Sequence, residues 1–309
     1  RTKTYTLSEK YKGDDFLITD KWSYYSSSDP TGGQVDYLSH SAAVKERLAY
    51  LEGSIAVLAV DNKTDLPLHK NRNSVRITSK KKYNNGLFIA DFYQMPHGCS
   101  IWPAWWSVGP DWPNGGEIDI VENINLATNN QYTLHSGSGS SCTLAQPVHA
   151  TGRVLGTQCM SAPDANAGCA IVDNDPRTFG HGFNAGGGGV FAHLWDSTGI
   201  TFWHFARDEI PADITAGKPE PRSWPTPAAV FSSAGCDFYD HFYDHSLVLD
   251  TTLCGGYAGG ANYPNSGCPG TCEEVVADKS NFDRALYIHC SICLGGGVLT
   301  ITIFQMRKG

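Results

Sequence analysis

Short runs in which hydrophobic and polar residues alternate recur along the whole chain, separated by clusters of Gly, Pro, Asn and Asp. No sustained helical periodicity interrupts them. The runs are FLITD, QVDYLS, SIAVLAV, SVRITS, LFIADFY, EIDIVE, YTLHSG, VFAHLW, ITFWHFA, HSLVLDTT and VLTITIF. Many short runs of period two are typical of antiparallel sandwiches and barrels. The sequence therefore predicts an all-β fold.

Two pairs of runs predict β-hairpins. Asn85-Gly86, within VRITSKKKYNNGLFIADF, is a signal for a type I′ turn, and VFAHLWDSTGITFWHF predicts a turn around Ser197 to Gly199. The region from about 136 to 190 is rich in Ser, Gly, Asn and Cys, so it is expected to form long loops held by disulfides. Because no internal repeat or linker is visible, residues 1–309 are expected to form a single domain.

Composition and charge exclude several classes of function. The formal net charge is -8, only 17% of residues are charged, and no long Lys or Arg run exists. Nucleic acid and anionic membranes are therefore not expected as partners. No apolar stretch is long enough to span a membrane. The chain begins at Arg1 without an apolar leader, as expected for a mature exported chain, and a monomer is expected.

Ten cysteines point to an oxidising environment. An even number of cysteines spread along the chain favours disulfides in a secreted protein, although spacing does not fix their pairing. One glycosylation sequon, NKT at Asn62, agrees with export. The alternative is a four-thiolate zinc site from the pairs Cys268-x3-Cys272 and Cys290-x2-Cys293. Six further cysteines make that alternative less favourable.

The segment DWPNGGEIDIVENIN crowds three carboxylates, Glu117, Asp119 and Glu122, into an apolar strand. Alternation places Glu117 and Asp119 on one face and Glu122 on the other. A β-bulge around Ile120-Val121 would return Glu122 to the first face, and bulges are frequent beside active sites. The Cα atoms of the two glutamates would then lie roughly 13 Å apart. Side chains leaning together would bring the carboxyls to about 5–6 Å, near the separation of a retaining glycosidase.

Such a pair would supply one ionised carboxylate and one proton donor, with the intervening aspartate adjusting their proton affinities. A calcium site or a solvated strand face would also explain clustered carboxylates. The adjacent SIWPAWWSVGPDWPNGG adds four tryptophans, which suit the apolar faces of sugar rings and have no use in a calcium site. Alternation sends Trp105 and Trp106 to opposite faces, so at least one is expected in the core.

GEIDIVE, preceded by IWPAWW and DWPNGG and followed by YTLHSG, resembles the catalytic region of glycoside hydrolase family sixteen. Within that family the chain is most similar to the secreted fungal endo-1,3(4)-β-glucanases, or laminarinases. The similarity extends to RNSVRI, FNAGGGG, ITFWHFARDEIP, CGGYAGG and GCPGTC, over residues 5 to about 285. It implies a β-jelly-roll sandwich with a cleft across its concave face. It also implies hydrolysis of laminarin-type and mixed-linked β-glucans with retained configuration and without a cofactor.

The same resemblance implies roles for individual residues. Glu117 would be the nucleophile, Glu122 the general acid/base and Asp119 the assisting residue. His135 in TLH matches a position that lines the cleft, the alternative being a buried histidine tied to the backbone. The expected substrate-binding residues are Trp102, Trp106, Trp112, Arg72, Asn73, Asn184 and Tyr257, with a simple turn role as the alternative for Asn184.

The sequence departs from the family pattern in two places. Gly256-Tyr257 stands where related sequences usually carry an Asp-Trp pair, so the tyrosine would stack on a sugar with less surface. The segment ALYIHCSICLGGGVLTITIFQMRKG matches the usual closing strand poorly, and Cys290 and Cys293 have no assigned purpose. VLTITIF still alternates as a strand that closes the sheet.

Three other functions are compatible with this pattern. A glucan-binding lectin on the same sandwich would be expected to lack one of the two glutamates, and both are present. A transglycosylase would share the covalent intermediate. In a metal-dependent protein the carboxylates would be ligands, and a structural calcium ion on the outer face is left open.

Overall fold

The computed structural model describes residues 4–139, 141–162, 165–283, 285–287 and 300–307. Its strands are β1 (Thr4–Lys12), β2 (Trp22–Tyr24), β3 (Val35–Tyr37), β4 (Ala49–Glu52), β5 (Ile55–Ala59), β6 (Arg72–Ser74), β7 (Arg76–Tyr83), β8 (Gly86–Phe92), β9 (Ile101–Val108), β10 (Glu117–Glu122), β11 (Gln131–His135), β12 (Arg153–Gly156), β13 (Cys169–Val172), β14 (Gly189–Asp196), β15 (Gly199–Ala206), β16 (Ala229–Ser232), β17 (His245–Leu253), β18 (Leu286–Tyr287) and β19 (Thr300–Arg307).

The helices are short. They are α1 (His40–Lys45), α2 (Gly180–Ala185), α3 (Ala212–Thr215), α4 (Phe238–His241), α5 (Gly255–Ala258) and α6 (Cys272–Ala277), with 3-10 turns at Gly13–Leu17, Pro221–Ser223, Tyr263–Asn265 and Lys279–Phe282. None of the helices in the described ranges has the length and apolar character needed to cross a membrane.

Two antiparallel sheets form the body of the molecule. The eight-stranded sheet has the order β12-β13-β11-β10-β9-β17-β7-β2, and the six-stranded sheet has the order β1-β19-β8-β14-β15-β16. The main core lies between them and includes Trp105 and Ile118 from the first sheet and Phe191, Phe202 and Ile301 from the second. The predicted all-β class is confirmed, because one face of each sheet packs against the other sheet. The opposite face of the six-stranded sheet is also buried, in a smaller cluster that includes Leu87, Val190 and Trp203.

The two predicted hairpins have different outcomes. β14 and β15 pair along their full length, from Gly189↔Ala206 to Asp196↔Gly199, so the turn before Gly199 is confirmed. The hairpin at Asn85-Gly86 is wrong, since β7 pairs with β2 and β17 whereas β8 pairs with β14 and β19. The turn carries the chain from one sheet to the other. Gly86 lies at this turn with a φ of +143°. A Cβ there would be only 2.9 Å from the Phe304 carbonyl oxygen, so glycine fits the turn and a larger residue would not.

The runs FLITD and VLTITIF, both predicted as strands, have different outcomes. FLITD is not a strand: Gly13–Leu17 forms a 3-10 turn that buries Phe16 against Trp22, with ring centroids 5.4 Å apart. VLTITIF does contribute a strand, and β19 lies between β1 and β8 in the six-stranded sheet. The preceding Cys290 and Cys293 fall outside the described residues.

Eight cysteines form four disulfides in the described part, namely Cys99–Cys268, Cys142–Cys236, Cys159–Cys169 and Cys254–Cys272. The expected disulfide framework is confirmed: Cys142–Cys236 and Cys159–Cys169 hold the loop region 136–190, and the other two bonds hold the glycine-rich segment 254–272. Cys268 and Cys272 are both oxidised, with different partners, so the four-thiolate zinc alternative is wrong.

Candidate active site

A β-bulge in β10 places the outer carboxylates on one face of the eight-stranded sheet. The register between β10 and β9 shifts between Asp119 and Val121, which makes Ile120 the extra residue. Ile120 and Val121 are fully buried, whereas Glu117 and Glu122 remain partly exposed. The bulge inferred from parity is therefore confirmed. Without the bulge, strict alternation along β10 would point Glu122 into the core.

A buried asparagine holds the bulge from the neighbouring segment. The Asn130 side chain is 0% exposed and accepts a hydrogen bond from the Glu122 backbone N–H at 2.9 Å, while it donates to the Ile120 carbonyl at 2.8 Å. Its own N–H donates to Thr178 Oγ1 at 2.9 Å. Since an extra residue leaves ladder groups unpaired, this side chain satisfies the peptide groups that the bulge frees.

Glu117, Asp119 and His135 form a connected cluster at the start of β10. His135 lies opposite Glu117 on β11, and its Nε2 is 3.5 Å from Asp119 Oδ2 and 4.0 Å from Glu117 Oε1. A hydrogen bond also joins the carboxyl groups of Asp119 and Glu117. The other ring nitrogen, Nδ1, lies 2.9 Å from Ser161 Oγ. The histidine is buried, as one reading of the sequence expected, but it contacts side chains of the site rather than the backbone alone.

Glu122 is held at the other end of the strand by an indole. Trp102 Nε1 donates to Glu122 Oε1 at 2.7 Å. The Trp102 ring meets Tyr257 edge-on, with centroids 5.3 Å apart, and the Tyr257 hydroxyl donates to Gln131 Oε1 at 3.4 Å. Trp102 therefore fixes the orientation of the Glu122 carboxyl group, and Tyr257 limits the movement of the Trp102 ring.

The electrostatics of the site favour protonated carboxyl groups. Burial raises the pKa of Glu117, of Asp119 and of Glu122 to about 8 in each case. The negative charge of Asp119 adds to this rise for both glutamates, while the Trp102 hydrogen bond lowers the pKa of Glu122. Three neighbouring acids cannot all ionise at low cost, so the cluster retains protons near neutral pH. Such a site can supply an anion and a proton donor together.

Trp112 projects from a tight turn beside Glu117. Its side chain is 46% exposed, and its indole lies close enough to Glu117 to lower the pKa of that carboxyl group slightly. The turn that carries it ends at Gly116, whose φ is +79° and where a Cβ would lie 2.4 Å from the His241 carbonyl oxygen. This glycine is thus required by the packing of two loops, and the packing holds the Trp112 ring at the rim of the site.

Comparison with known proteins identifies the family. The model of the XgeA-like catalytic domain of glycoside hydrolase family sixteen matches residues 22–292. The chain belongs to glycoside hydrolase family sixteen. In this family sixteen chain, the matched residues include the whole eight-stranded sheet, strands β8, β14, β15 and β16 of the six-stranded sheet, and every side chain of the carboxylate cluster.

Curated relatives of this family sixteen chain are fungal. It is 41% identical over 290 residues to a probable glycosidase of Schizosaccharomyces pombe, covering 93% of this chain and 68% of that protein. It is 41% identical over 280 residues to a probable endo-1,3(4)-β-glucanase of Aspergillus flavus, covering 90% of this chain. An endo-1,3(4)-β-glucanase of Arthroderma benhamiae is 35% identical over 92% of this chain. The chain spans 40% of the Aspergillus protein and 63% of the Arthroderma protein.

Two solved structures show the same architecture. Laminarinase 16A of Phanerochaete chrysosporium, solved with 6-O-glucosyl-laminaritriose in donor and acceptor sites, superimposes with a TM-score of 0.90 at 33% identity and covers 98% of this chain and 100% of that one. An elongating family sixteen β-1,3-glucosyltransferase superimposes with a TM-score of 0.88 at 34% identity, over the same shares of the two chains. The expected jelly-roll sandwich is confirmed.

Arg72 and Asn73 both have hydrogen-bond partners within the protein. The Arg72 side chain is 0% exposed, and its guanidinium donates to the carbonyls of Val276, Asp61 and Thr64. Asn73 donates to Glu46 Oε2 at 2.8 Å. The expectation is wrong for Arg72, because a fully buried guanidinium that already binds several carbonyls cannot reach a sugar. It ties β6 to the α6 region instead.

Asn184 also has partners within the protein. Its Oδ1 accepts from the Met95 N–H at 3.0 Å and its Nδ2 donates to the Met95 carbonyl at 2.9 Å. This reciprocal pair fixes a loop, which agrees with the structural alternative. Trp105 is 1% exposed in the core and Trp106 is partly exposed on the opposite face, as alternation predicted.

Arg76 and Asp250 lie on the same face of the eight-stranded sheet as Glu122, and the sequence analysis missed them. Arg76 Nη1 lies 3.5 Å from Asp250 Oδ2, and the guanidinium lies 5.0 Å from the ring centroids of both Tyr25 and Trp106. Pairing places Asp250 beside Ala104, which is itself beside Glu122. Burial raises the pKa of Asp250 to about 6, and Arg76 opposes that rise. The available signal was the single acidic residue in the run LVLDTT.

One group of side chains has the spacing of a metal site. Glu117, Asp119 and His135 offer ligand atoms within 4.8 Å of one another, and no other such group occurs among the described residues. Calcium takes six to eight oxygen ligands, so a set with an imidazole nitrogen and two carboxylates fits it poorly. Family sixteen glucanases generally need no cofactor for catalysis. A structural calcium ion on the outer face stays a prediction.

Proposed function

We propose that this family sixteen protein is an endo-β-1,3(4)-glucanase that hydrolyses laminarin-type and mixed-linked β-glucans with retention of configuration. The bulge in β10 is the observation that supports this most directly, because it places Glu117 and Glu122 on one face with Asp119 between them. The names of the fungal relatives and the laminarinase complex support the substrate class.

The proposed first step forms a bond between a Glu117 carboxylate oxygen and the anomeric carbon of the glucan. The glycosidic C–O bond breaks, and the leaving oxygen takes a proton from Glu122. Asp119 hydrogen-bonds Glu117 and can hold the proton that Glu117 must give up before it attacks. His135 Nε2 lies 3.5 Å from Asp119 Oδ2, so the histidine can hold the Asp119 carboxyl group in place while it carries that proton.

The second step releases the product. Glu122, now ionised, takes a proton from water, and the water oxygen attacks the anomeric carbon as its bond to Glu117 breaks. The Trp102 indole donates to Glu122 in its ionised form, which fits a carboxyl group that alternates between acid and base. Trp106 and Trp112 are proposed to stack on flanking sugar rings, as are Trp102 and Tyr257.

The same proposal covers the setting of the enzyme. Four disulfides support export, and the absence of basic runs agrees with a neutral polysaccharide as partner. We propose that residues 1–309 act as one catalytic domain and as a monomer. The chain spans only 40% of the Aspergillus relative. The activity of a whole protein of that length is therefore also part of this proposal.

The test is product analysis with laminarin and with barley mixed-linked glucan, in EDTA. Short oligosaccharides whose first-formed anomer is β support the proposal, and NMR during the first minutes distinguishes the anomers. Glu117→Gln and Glu122→Gln should each lower turnover by about 10²–10⁴-fold. Glu52→Gln, an exposed glutamate on β4, is the matched control. An α-anomer, or a variant that keeps a tenth of the activity, would contradict the assignment.

A glucosyltransferase is the second candidate. The observation that favours it is the 34% identical elongating β-1,3-glucosyltransferase with a TM-score of 0.88. Products longer than the starting oligosaccharide, formed at high substrate concentration, would support it. A non-catalytic glucan-binding lectin would bind both polymers and cleave neither.

A further inference from the structure

Exposed aromatic side chains are concentrated at one place on the described surface. Trp112, Tyr239 and Tyr243 are 46%, 69% and 36% exposed. Among the Trp, Tyr and Phe side chains whose exposure the structure describes, no other reaches that value. Large aromatic surface in water is unfavourable, so grouping of all such residues in one area points to a binding surface.

Direct backbone packing brings the three residues into that area. The Tyr243 N–H donates to the Gly115 carbonyl at 3.3 Å, and this glycine belongs to the turn that carries Trp112. A Cβ on Gly109, at the other end of the turn, would lie 2.7 Å from the Tyr243 carbonyl oxygen. The turn of residues 109–116 and the segment 238–244 therefore form one unit.

The two tyrosines face outward for a reason that the segment itself supplies. Phe238 and Phe242 are buried, with ring centroids 5.2 Å apart, and both belong to the main core. Tyr239 and Tyr243 follow them by one residue each, so the burial of the phenylalanines turns the tyrosines toward solvent. The exposure of the tyrosines is thus fixed by the fold.

This surface is continuous with the proposed active site. Trp112 belongs to the turn that leads directly into Glu117, and its indole influences the pKa of that carboxyl group while its ring is 46% exposed at the surface. Beside Tyr243, Asn84 and Asp244 exchange hydrogen bonds of 2.8 and 3.0 Å. Asp237 and Asp240 are also exposed. Acidic neighbours repel nucleic acid and anionic lipid, whereas aromatic faces flanked by carboxylates and amides suit the rings and hydroxyls of a neutral sugar polymer.

We propose that Tyr239 and Tyr243 extend the substrate-binding surface beyond Trp112 and bind the part of a neutral β-glucan chain that projects from the cleft. The proposal rests on the proposed function for its occupant, and it adds a site that only long chains can reach. It predicts a preference for polymers over short oligosaccharides that originates outside the cleft.

The test compares laminarin with laminaritetraose as substrates for Tyr239→Ala, Tyr243→Ala and the double alanine variant. Each alanine substitution should raise KM for laminarin about 2- to 12-fold, the range for loss of one aromatic contact. The kcat values and the KM for laminaritetraose should stay unchanged. The matched control is the double phenylalanine variant, which keeps both rings and should behave as wild type. Leu155→Ala, at a side chain that is 47% exposed on β12, controls for loss of exposed apolar surface.

Two kinetic outcomes would overturn the proposal. An unchanged KM for laminarin in the double alanine variant would show that the tyrosines do not bind substrate. An equal rise for laminaritetraose would place their effect inside the cleft. If the wild-type protein cleaves neither substrate, the proposed function fails. Retardation of the protein in laminarin-containing native gels then tests glucan binding by the two tyrosines independently of cleavage. Lost retardation in the double alanine variant then supports the site, and retained retardation overturns it.

Discussion

Replacing Trp102 by Phe tests whether the indole N–H positions the proposed general acid/base. The substitution keeps an aromatic ring beside Tyr257 and removes the donor that lies 2.7 Å from Glu122 Oε1, together with the pyrrole part of the indole. Phe has no polar atom to leave unsatisfied. A change in the proton affinity of Glu122 would then report the lost hydrogen bond rather than a disrupted site.

The magnitude follows from the type of bond. A hydrogen bond to a charged group contributes about 1.5–3 kcal/mol, and 1.36 kcal/mol corresponds to one pKa unit. Trp102 lowers the pKa of Glu122, because it donates to the ionised form more strongly than to the protonated one. Without the donor, the pKa should rise by about one to two units. The acid form would then persist to higher pH.

The assay is the pH dependence of kcat/KM on laminarin. Glu122 must hold its proton for the first step, so the alkaline limb of the profile reports its pKa. The limb should move upward by about one pH unit or more in Trp102→Phe, with a lower kcat at the optimum. Trp112→Phe, at the other glutamate, should leave the alkaline limb in place. An alkaline limb that stays fixed in Trp102→Phe, while kcat falls, would refute the positioning role and leave only ring stacking.

Three more results are expected. Asn130→Ala should lower kcat about 10²-fold with little change in KM, because the bulge loses its two hydrogen bonds to the Asn130 side chain and Glu122 shifts. Unchanged kinetics of the purified variant would contradict this. Replacing both Cys254 and Cys272 by Ser should cost about 3 kcal/mol of stability for a separation of 18 residues and lower Tm in calorimetry; an unchanged Tm would refute it. Because burial raises the pKa of Glu117 from 4.5 to about 8, the stability that its proton contributes is present below about pH 4.5 and is lost as pH rises toward 8. Glu117→Gln should therefore raise Tm at pH 8 and not at pH 4, and an equal change at both values would contradict the assignment.

The sequence was sufficient where parity and spacing determine the structure. The alternation of β10 required an extra residue if Glu117 and Glu122 were to share a face, and the register shows it at Ile120. The same alternation separated Trp105 from Trp106 correctly. Period-two patterns are local, so a strand and its two faces can be read from the strand alone.

Features that depend on contacts between distant segments could not be read in this way. The Asn-Gly turn at Asn85-Gly86 favours a hairpin locally, yet β8 pairs with β19 and β14 because its buried face belongs to the other sheet. Arg72 sits in a polar stretch that looks exposed, but the α6 region covers it completely. Asn130 gives no sequence signal, because its partners are backbone groups of another strand.

The position of β19 imposes an order on synthesis and folding. Among the described strands, β1 joins the six-stranded sheet through β19 alone, with Thr4 opposite Arg307, so β1 cannot pair until a strand almost 300 residues later has been made. Until β19 emerges from the ribosome, β8 keeps one open edge while its other edge pairs with β14. Such long-range pairing is slow, and an open edge invites pairing with another chain. A truncated product that stops before Thr300 should therefore accumulate as aggregate during expression.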